Sequence, residues 1–291
     1  MRNIRLTIEY DGSRYQGWCR LGKEESNNTV SNKIIEVLRK MTGEYIIELN
    51  CGCRTEVGVH AYAQVANFKT DSDMDILEIK HYLNRYLPMD IAITNVEDVP
   101  DRFHAQLNAT SKTYVYRMTI DDVPSVFDRK YTYHCFKIPD KKLMQQASLL
   151  FIGKHDFKNF STVKKNKTTV KEIFEIEVYG DTEEMQILIH ADDFLHNMAR
   201  LVVARFWRSG SGREKKKISR RSLRARKPPA PLATQKDCIS RKSPTSRRVG
   251  VKKDADNTDS GYSGISVICV LSAFPCCPPA IKYRPPQTAV P

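Results

Sequence analysis

Along the first 200 residues the apolar positions switch between a period of two and a period near 3.6, and the order of those switches limits the fold more than any other feature. Ile4, Leu6 and Ile8 alternate with Arg5, Thr7 and Glu9, the spacing of a strand with one buried face. Val30, Ile34, Val37, Leu38 and Met41 then recur at helical spacing, with Asn28 or Thr29 as N-cap and Gly43 just past the end. Residues 45–49 are β-branched and aromatic enough for a strand, and residues 63–68 for another. Residues 74–87 form a second amphipathic pattern stopped by Pro88, and residues 91–99 return to strand spacing. The order is strand, helix, strand, strand, helix, strand, that of a split βαβ or ferredoxin-like unit.

A similar succession follows. Residues 112–120 and 129–137 are expected as strands, 140–151 as a helix, 169–179 and 183–190 as strands joined by a Gly180-Asp181 turn, with a helix from Asp193 onward. The chain therefore divides into an α/β half over residues 1–105, a second and incomplete α/β half over 106–204, and a tail over 205–291. The fold class is α+β.

Charge separates the tail from the rest. Residues 1–204 carry 27 Lys and Arg against 29 Asp and Glu, whereas residues 205–253 carry 18 against 2. The basic pI of about 9.3 is thus no argument that the folded part binds nucleic acid, and any such face must be a local patch. Lys164, Lys165, Lys167 and Lys171 are one candidate, and Arg14, Arg20 and Lys23 another. Ten of 14 prolines lie beyond residue 227, so the tail is expected to be disordered and to add only non-specific RNA affinity. The cysteines lack a Cys-x-x-Cys pair and the histidines lack metal-ligand spacing, so no metal and no disulfide framework are predicted. The longest apolar run, residues 265–274, is well short of the ~20 residues a membrane helix needs. With no signal peptide in view, a soluble cytoplasmic protein is expected.

Between two of the predicted strands lies the loop Cys53-Arg54-Thr55-Glu56-Val57-Gly58-Val59-His60-Ala61, followed by Gln64-Val65. Taken alone, Arg54-Thr55-Glu56 is a surface ion pair on a turn, and His60 a histidine bracing the loop. Further landmarks stand in order: Tyr10-Asp11-Gly12, Gly17-Trp18, Tyr86-Leu87-Pro88, Phe103-His104-Ala105, the stretch from Lys112 to Arg117, and Phe194-Leu195-His196-Asn197-Met198-Ala199-Arg200. Together they resemble the TruA family of tRNA pseudouridine synthases over about residues 1–203.

The resemblance implies the pseudouridine synthase fold, two ferredoxin-like halves sharing one mostly antiparallel sheet with flanking helices and a cleft between them. It implies a homodimer that acts on the anticodon stem-loop of tRNA without a cofactor. Glu56 takes the place of the family's catalytic aspartate, with Arg54, Tyr114, Thr55, Gly58 and His60 on the substrate side. Isomerising a uridine needs a carboxylate as nucleophile or base, an arginine for the flipped nucleotide's phosphate or vacated stack, and an aromatic ring under the base. Gly58 suits a loop with positive φ or one close to RNA. His104 and His196 are weaker candidates. Tyr114 is expected in the cleft and Tyr116 in the core, on opposite faces of one strand.

The chain departs from the family pattern at Cys53 for glycine, Val57 for alanine, Cys19 for glutamine, Gln106 for arginine and Ala204 for glycine. Two further readings stay open on the sequence: a relative that binds tRNA without catalysis, and a frameshifted chain lacking the family's last helix and strand.

Overall fold

The computed structural model describes residues 1–19, 27–136, 138–162 and 168–210, and the backbone of residues 265–271. The cationic candidates Arg20, Lys23, Lys164, Lys165 and Lys167, and most of the tail, lie outside the described residues.

The first half contains β1 (Arg2–Tyr10), α1 (Val30–Thr42), β2 (Asn50–Cys51), β3 (His60–Thr70), α2 (Ile76–Tyr86) and β4 (Ile91–Val99). The second contains β5 (Ala109–Ile120), β6 (Tyr133–Cys135), α3 (Lys141–Ser148), β7 (Gly153–Asp156), β8 (Val170–Gly180), β9 (Glu184–Ala191) and α4 (Met198–Gly210). β10 (Ile265–Leu271) follows. Local chemistry sets the helix starts. Thr29 accepts from the Asn32 amide ahead of α1, Asp75 from Leu77 ahead of α2, and Asp140 from Leu143 ahead of α3, each satisfying an amide that the helix itself cannot.

Among the described residues, ten strands share one sheet in the order β4-β1-β3-β10-β5-β9-β8-β7, with β2 also on β3 and β6 also on β5. Only the β10–β5 and β5–β6 pairings are parallel; the others are antiparallel, in line with the α+β expectation. One buried cluster extends from Ile4, Leu6 and Ile8 through Phe68 to Ile187, Val202 and Phe206.

Four expectations about elements need correction. Residues 45–49 are not a strand: Tyr45 and Ile46 are exposed, and pairing with β3 is confined to Asn50 and Cys51, so β propensity there finds no partner strand. The strand expected over 129–137 shrinks to β6, because residues 128–130 form a 3-10 turn. The helix expected from Asp193 starts at Met198, leaving residues 192–197 as a loop. The boundary at 205 falls inside α4, where Phe206 and Trp207 are buried, and residues 265–271 join the centre of the sheet. A disordered tail therefore does not describe residues 205–210 or 265–271.

Tyr114 and Tyr116 do not lie on opposite faces. Residues two apart in a strand share a face, and β5 pairs with β9 without a bulge from Lys112 to Thr119. Their positions along the strand separate them instead. Tyr116 is buried against Tyr133, while Tyr114, two residues earlier in β5, is half-buried and edge-on to Phe194 with ring centroids 4.6 Å apart.

Candidate active site

The loop joining β2 to β3 is seated on the first turn of the chain. The Trp18 amide donates to the Thr55 carbonyl at 3.0 Å. Gly17 has φ 85°, and a Cβ there would lie 2.7 Å from that same carbonyl oxygen; a Cβ on Gly12 would lie 2.0 Å from the Val59 oxygen. Both landmark glycines are thus places where a side chain cannot fit between two backbones. Gly58, with φ 69°, bears out the positive-φ expectation.

Inside the loop, Thr55 is buried and its hydroxyl meets that of Tyr10 at 2.7 Å. Gln64 is fully buried and its amide donates to the Cys53 carbonyl. His60, also buried, accepts from the Gly12 amide through Nδ1 at 3.1 Å and faces the Lys130 carbonyl through Nε2 at 3.1 Å. Burial holds the His60 imidazole below its ordinary pKa, against the opposing pull of Asp11. Thr55 and His60, expected on the substrate side, are thus turned into the protein, where they brace the loop. His60 borders a separate cleft of about 520 Å³ with Asp11, Tyr62, Asp90, Arg117 and Tyr131, whose lining does not include Glu56. His104 takes part in its own turn, accepting from the Gln106 and Leu107 amides.

Bracing one side of the loop leaves Arg54 exposed and Glu56 half-buried on the other. The second half of the chain supplies the partners of Glu56. Its Oε2 is held by the Arg200 guanidinium of α4, and its Oε1 accepts from the Asn197 backbone amide at 2.9 Å. His196 Nε2 stands 3.7 Å from Oε1, beyond hydrogen-bond length, while its Nδ1 faces the Thr162 hydroxyl. Charge-assisted bonds of this kind contribute roughly 1.5–3 kcal/mol each. The carboxylate also meets the N-terminal end of α4, where the helix dipole is positive.

At the start of the loop, the Tyr114 hydroxyl lies 3.5 Å from Cys53 Sγ. The Tyr114 ring is fixed by Phe194 from the same loop that carries His196 and Asn197. That loop is anchored at Asp193, whose carboxylate meets Lys112 at 2.5 Å and Lys171 at 2.6 Å. Burial pushes the Asp193 carboxyl up, but the two ammonium groups overcome it and hold it below its ordinary value. Burial, with Cys19 and Cys53 near it, pushes the Cys51 thiol up to about 12.

Glu56 and Tyr114 are therefore linked through residues 193–200, where Phe194 meets the Tyr114 ring and Asn197 and Arg200 meet the carboxylate, while Arg54 is exposed two residues before Glu56. Phe194, Asn197 and Arg200 stand in a landmark stretch of the sequence, yet their roles are not readable there, since a contact spanning 141 or 144 residues leaves no local pattern.

The tRNA pseudouridine synthase family model matches residues 6–108 and 147–238. The chain belongs to this family. A protein named tRNA pseudouridine synthase A 2 from Bacillus cereus is 44% identical over 213 residues, covering 73% of this chain and 86% of that protein. A tRNA pseudouridine synthase A from a Bacillus species is 45% identical over the same shares. A tRNA pseudouridine synthase A 2 from Clostridium perfringens is 43% identical over 216 residues, 74% of this chain and 87% of that protein. The matched residues include the loop of residues 53–61, in which Glu56 stands at the position that the resemblance assigns to the catalytic carboxylate.

Proposed function

We propose that this protein converts uridine to pseudouridine in tRNA, with Glu56 as the catalytic carboxylate. The observation that carries the reading is the convergence on Glu56 of Arg200 and the Asn197 amide from the other half of the chain, in the same stretch whose Phe194 packs on Tyr114. A lone surface ion pair would not draw donors from both a loop and a helix of the far half.

The reaction is an isomerisation. The bond from N1 of the base to C1′ of the ribose breaks, the base turns, and C5 bonds to C1′; C5 loses a proton and N1 ends as N–H, so atoms and electrons balance without a redox partner. Glu56 acts at the ribose or takes a proton there. Arg54 holds the backbone of the everted nucleotide, and Tyr114 lies against the base. Arg200 and the Asn197 amide fix the carboxylate's direction before substrate arrives.

The anticodon stem-loop is the proposed target and a homodimer the proposed assembly. Exposed Val123, Phe127, Phe136 and Ile138 on the connection between β5 and α3 support a second copy, since large apolar side chains left in water favour association. Among the described residues no two cysteines are joined as a disulfide, and no helix is long and apolar enough to cross a membrane. We place the protein in the cytoplasm, where thiols stay reduced.

The test follows from the chemistry. Because C5 loses its hydrogen, tRNA carrying tritium at uridine C5 should release label to water with the protein, and an isolated anticodon stem-loop should do so where other arms do not. Absence of release would refute the synthase reading; sedimentation decides the assembly.

A further inference from the structure

We propose that Asn197 is a positioning residue for Glu56, an inference that rests on Glu56 being the catalytic carboxylate. Among the described residues Asn197 is the only non-glycine with positive φ, at 62°. Side chains with a Cβ rarely adopt that region, and asparagine is among the few that tolerate it. The conformation occurs immediately before α4, where the Leu201 amide donates back to the Asn197 carbonyl at 3.1 Å.

A residue at this place ordinarily has an extended backbone and turns its side-chain oxygen onto the first free helix amides. Asn197 does neither. Its Oδ1 accepts from Arg200 at 2.9 Å, through the same guanidinium nitrogen that holds Glu56 Oε2. Its Nδ2 donates to the Thr162 hydroxyl at 3.2 Å and also approaches His196 Nδ1 at 3.2 Å. The backbone amide is thereby left for Glu56 Oε1 at 2.9 Å. In a capping box a glutamate three residues into the helix would answer such an amide; here the answering carboxylate comes from 141 residues earlier. One residue thus addresses both oxygens of Glu56, one directly and one through Arg200.

The side chain of glutamate has three rotatable bonds, so its carboxylate is only as well aimed as its partners are fixed. Loss of Asn197 should therefore lower the rate of chemistry without weakening capture of the RNA. Alanine removes the amide side chain and disfavours the left-handed backbone, whereas glycine removes the side chain and keeps the backbone. Comparing the two isolates the backbone contribution.

The experiment measures kcat and KM for pseudouridine formation in Asn197→Ala and Asn197→Gly, with melts of each. It is joined to a double-mutant cycle of Asn197→Ala with Glu56→Ala on unfolding free energy. Asn197→Ala is expected to lower kcat on the order of 10²-fold with KM within about twofold, and Asn197→Gly to retain more activity than Asn197→Ala. In the cycle, Asn197→Ala should cost less stability once Glu56 is gone, because the two residues share bonds. An alanine variant with the parent's kcat, a loss carried by KM alone, or strict additivity in the cycle would overturn the proposal. A parent that makes no pseudouridine contradicts the synthase reading instead, and the cycle alone then decides the positioning role.

Discussion

At the residue scale the decisive feature is a carboxylate whose length matches its surroundings. Both oxygens of Glu56 are met by donors from the far half of the chain, so the methylene that distinguishes it from the family's aspartate is part of the fit. Shortening the side chain withdraws the carboxylate by about 1 Å, a misplacement that costs roughly 10²-fold in rate. Glu56→Asp is thus expected to slow pseudouridine formation by about that factor, measured in single turnover; a rate equal to or above the parent's would show a site still shaped for aspartate. The two tyrosines of β5 should part in the same way. Tyr114→Ala should weaken tRNA binding by about 1–3 kcal/mol, as loss of a stacking platform does, with a small effect on melting. Tyr116→Ala should do the reverse, lowering stability by about 3–5 kcal/mol as a buried aromatic truncation while binding stays near the parent's. Titration of tRNA and thermal melts of both variants separate these outcomes.

Among elements, the loop of residues 192–197 matters most for the site and is the least readable in sequence. Phe194, Leu195 and Met198 have helical spacing, which points to a helix already under way. The structure instead anchors Asp193 between Lys112 and Lys171 and turns the backbone at Asn197, so that α4 begins only at Met198. Tertiary ion pairs and a left-handed residue override periodicity, and neither has a signature in the local sequence. By contrast, β1, α1, α2, β4, β8 and β9 follow their apolar spacing closely, since each buries one face against a neighbour. A pH dependence belongs to this loop. With its folded-state pKa held below the ordinary value by Lys112 and Lys171, Asp193 contributes stability that is present above the unfolded pKa and is lost as pH falls through the folded pKa. Asp193→Asn should therefore lower the unfolding free energy at pH 7 by no more than about 1 kcal/mol, because the carboxylate is 39% exposed and solvent screens it. The difference from the parent should shrink toward the acid end. A gap that stays constant as pH is lowered from neutral through the folded pKa would count against the anchor.

For the whole molecule, the fold class is visible in the order of strands and helices, but the join at the middle of the sheet is not. β3 and β5 do not pair; β10 lies between them, antiparallel to one and parallel to the other. Its sequence follows the most basic part of the chain and precedes the most proline-rich part, and a short apolar run there carries no sign of which sheet it enters. The consequence runs against the expectation that the tail adds only non-specific RNA affinity. Truncation after residue 264 should expose the facing edges of β3 and β5, which invites aggregation. It should also loosen the register that sets Glu56 against Arg200, lowering both the melting temperature and the preference for tRNA over random RNA. A truncated protein that melts and discriminates like the parent would remove β10 from the account.

The central claim is that the Glu56 carboxylate, held across the two halves, performs the isomerisation. Nucleoside digests of tRNA incubated with the parent and with Glu56→Ala, resolved by chromatography coupled to mass spectrometry, test it most directly, because the two isomers share a mass and differ in retention. The account predicts pseudouridine with the parent and none with Glu56→Ala, at equal tRNA binding. Pseudouridine from both proteins, or from neither while both bind tRNA, would contradict it.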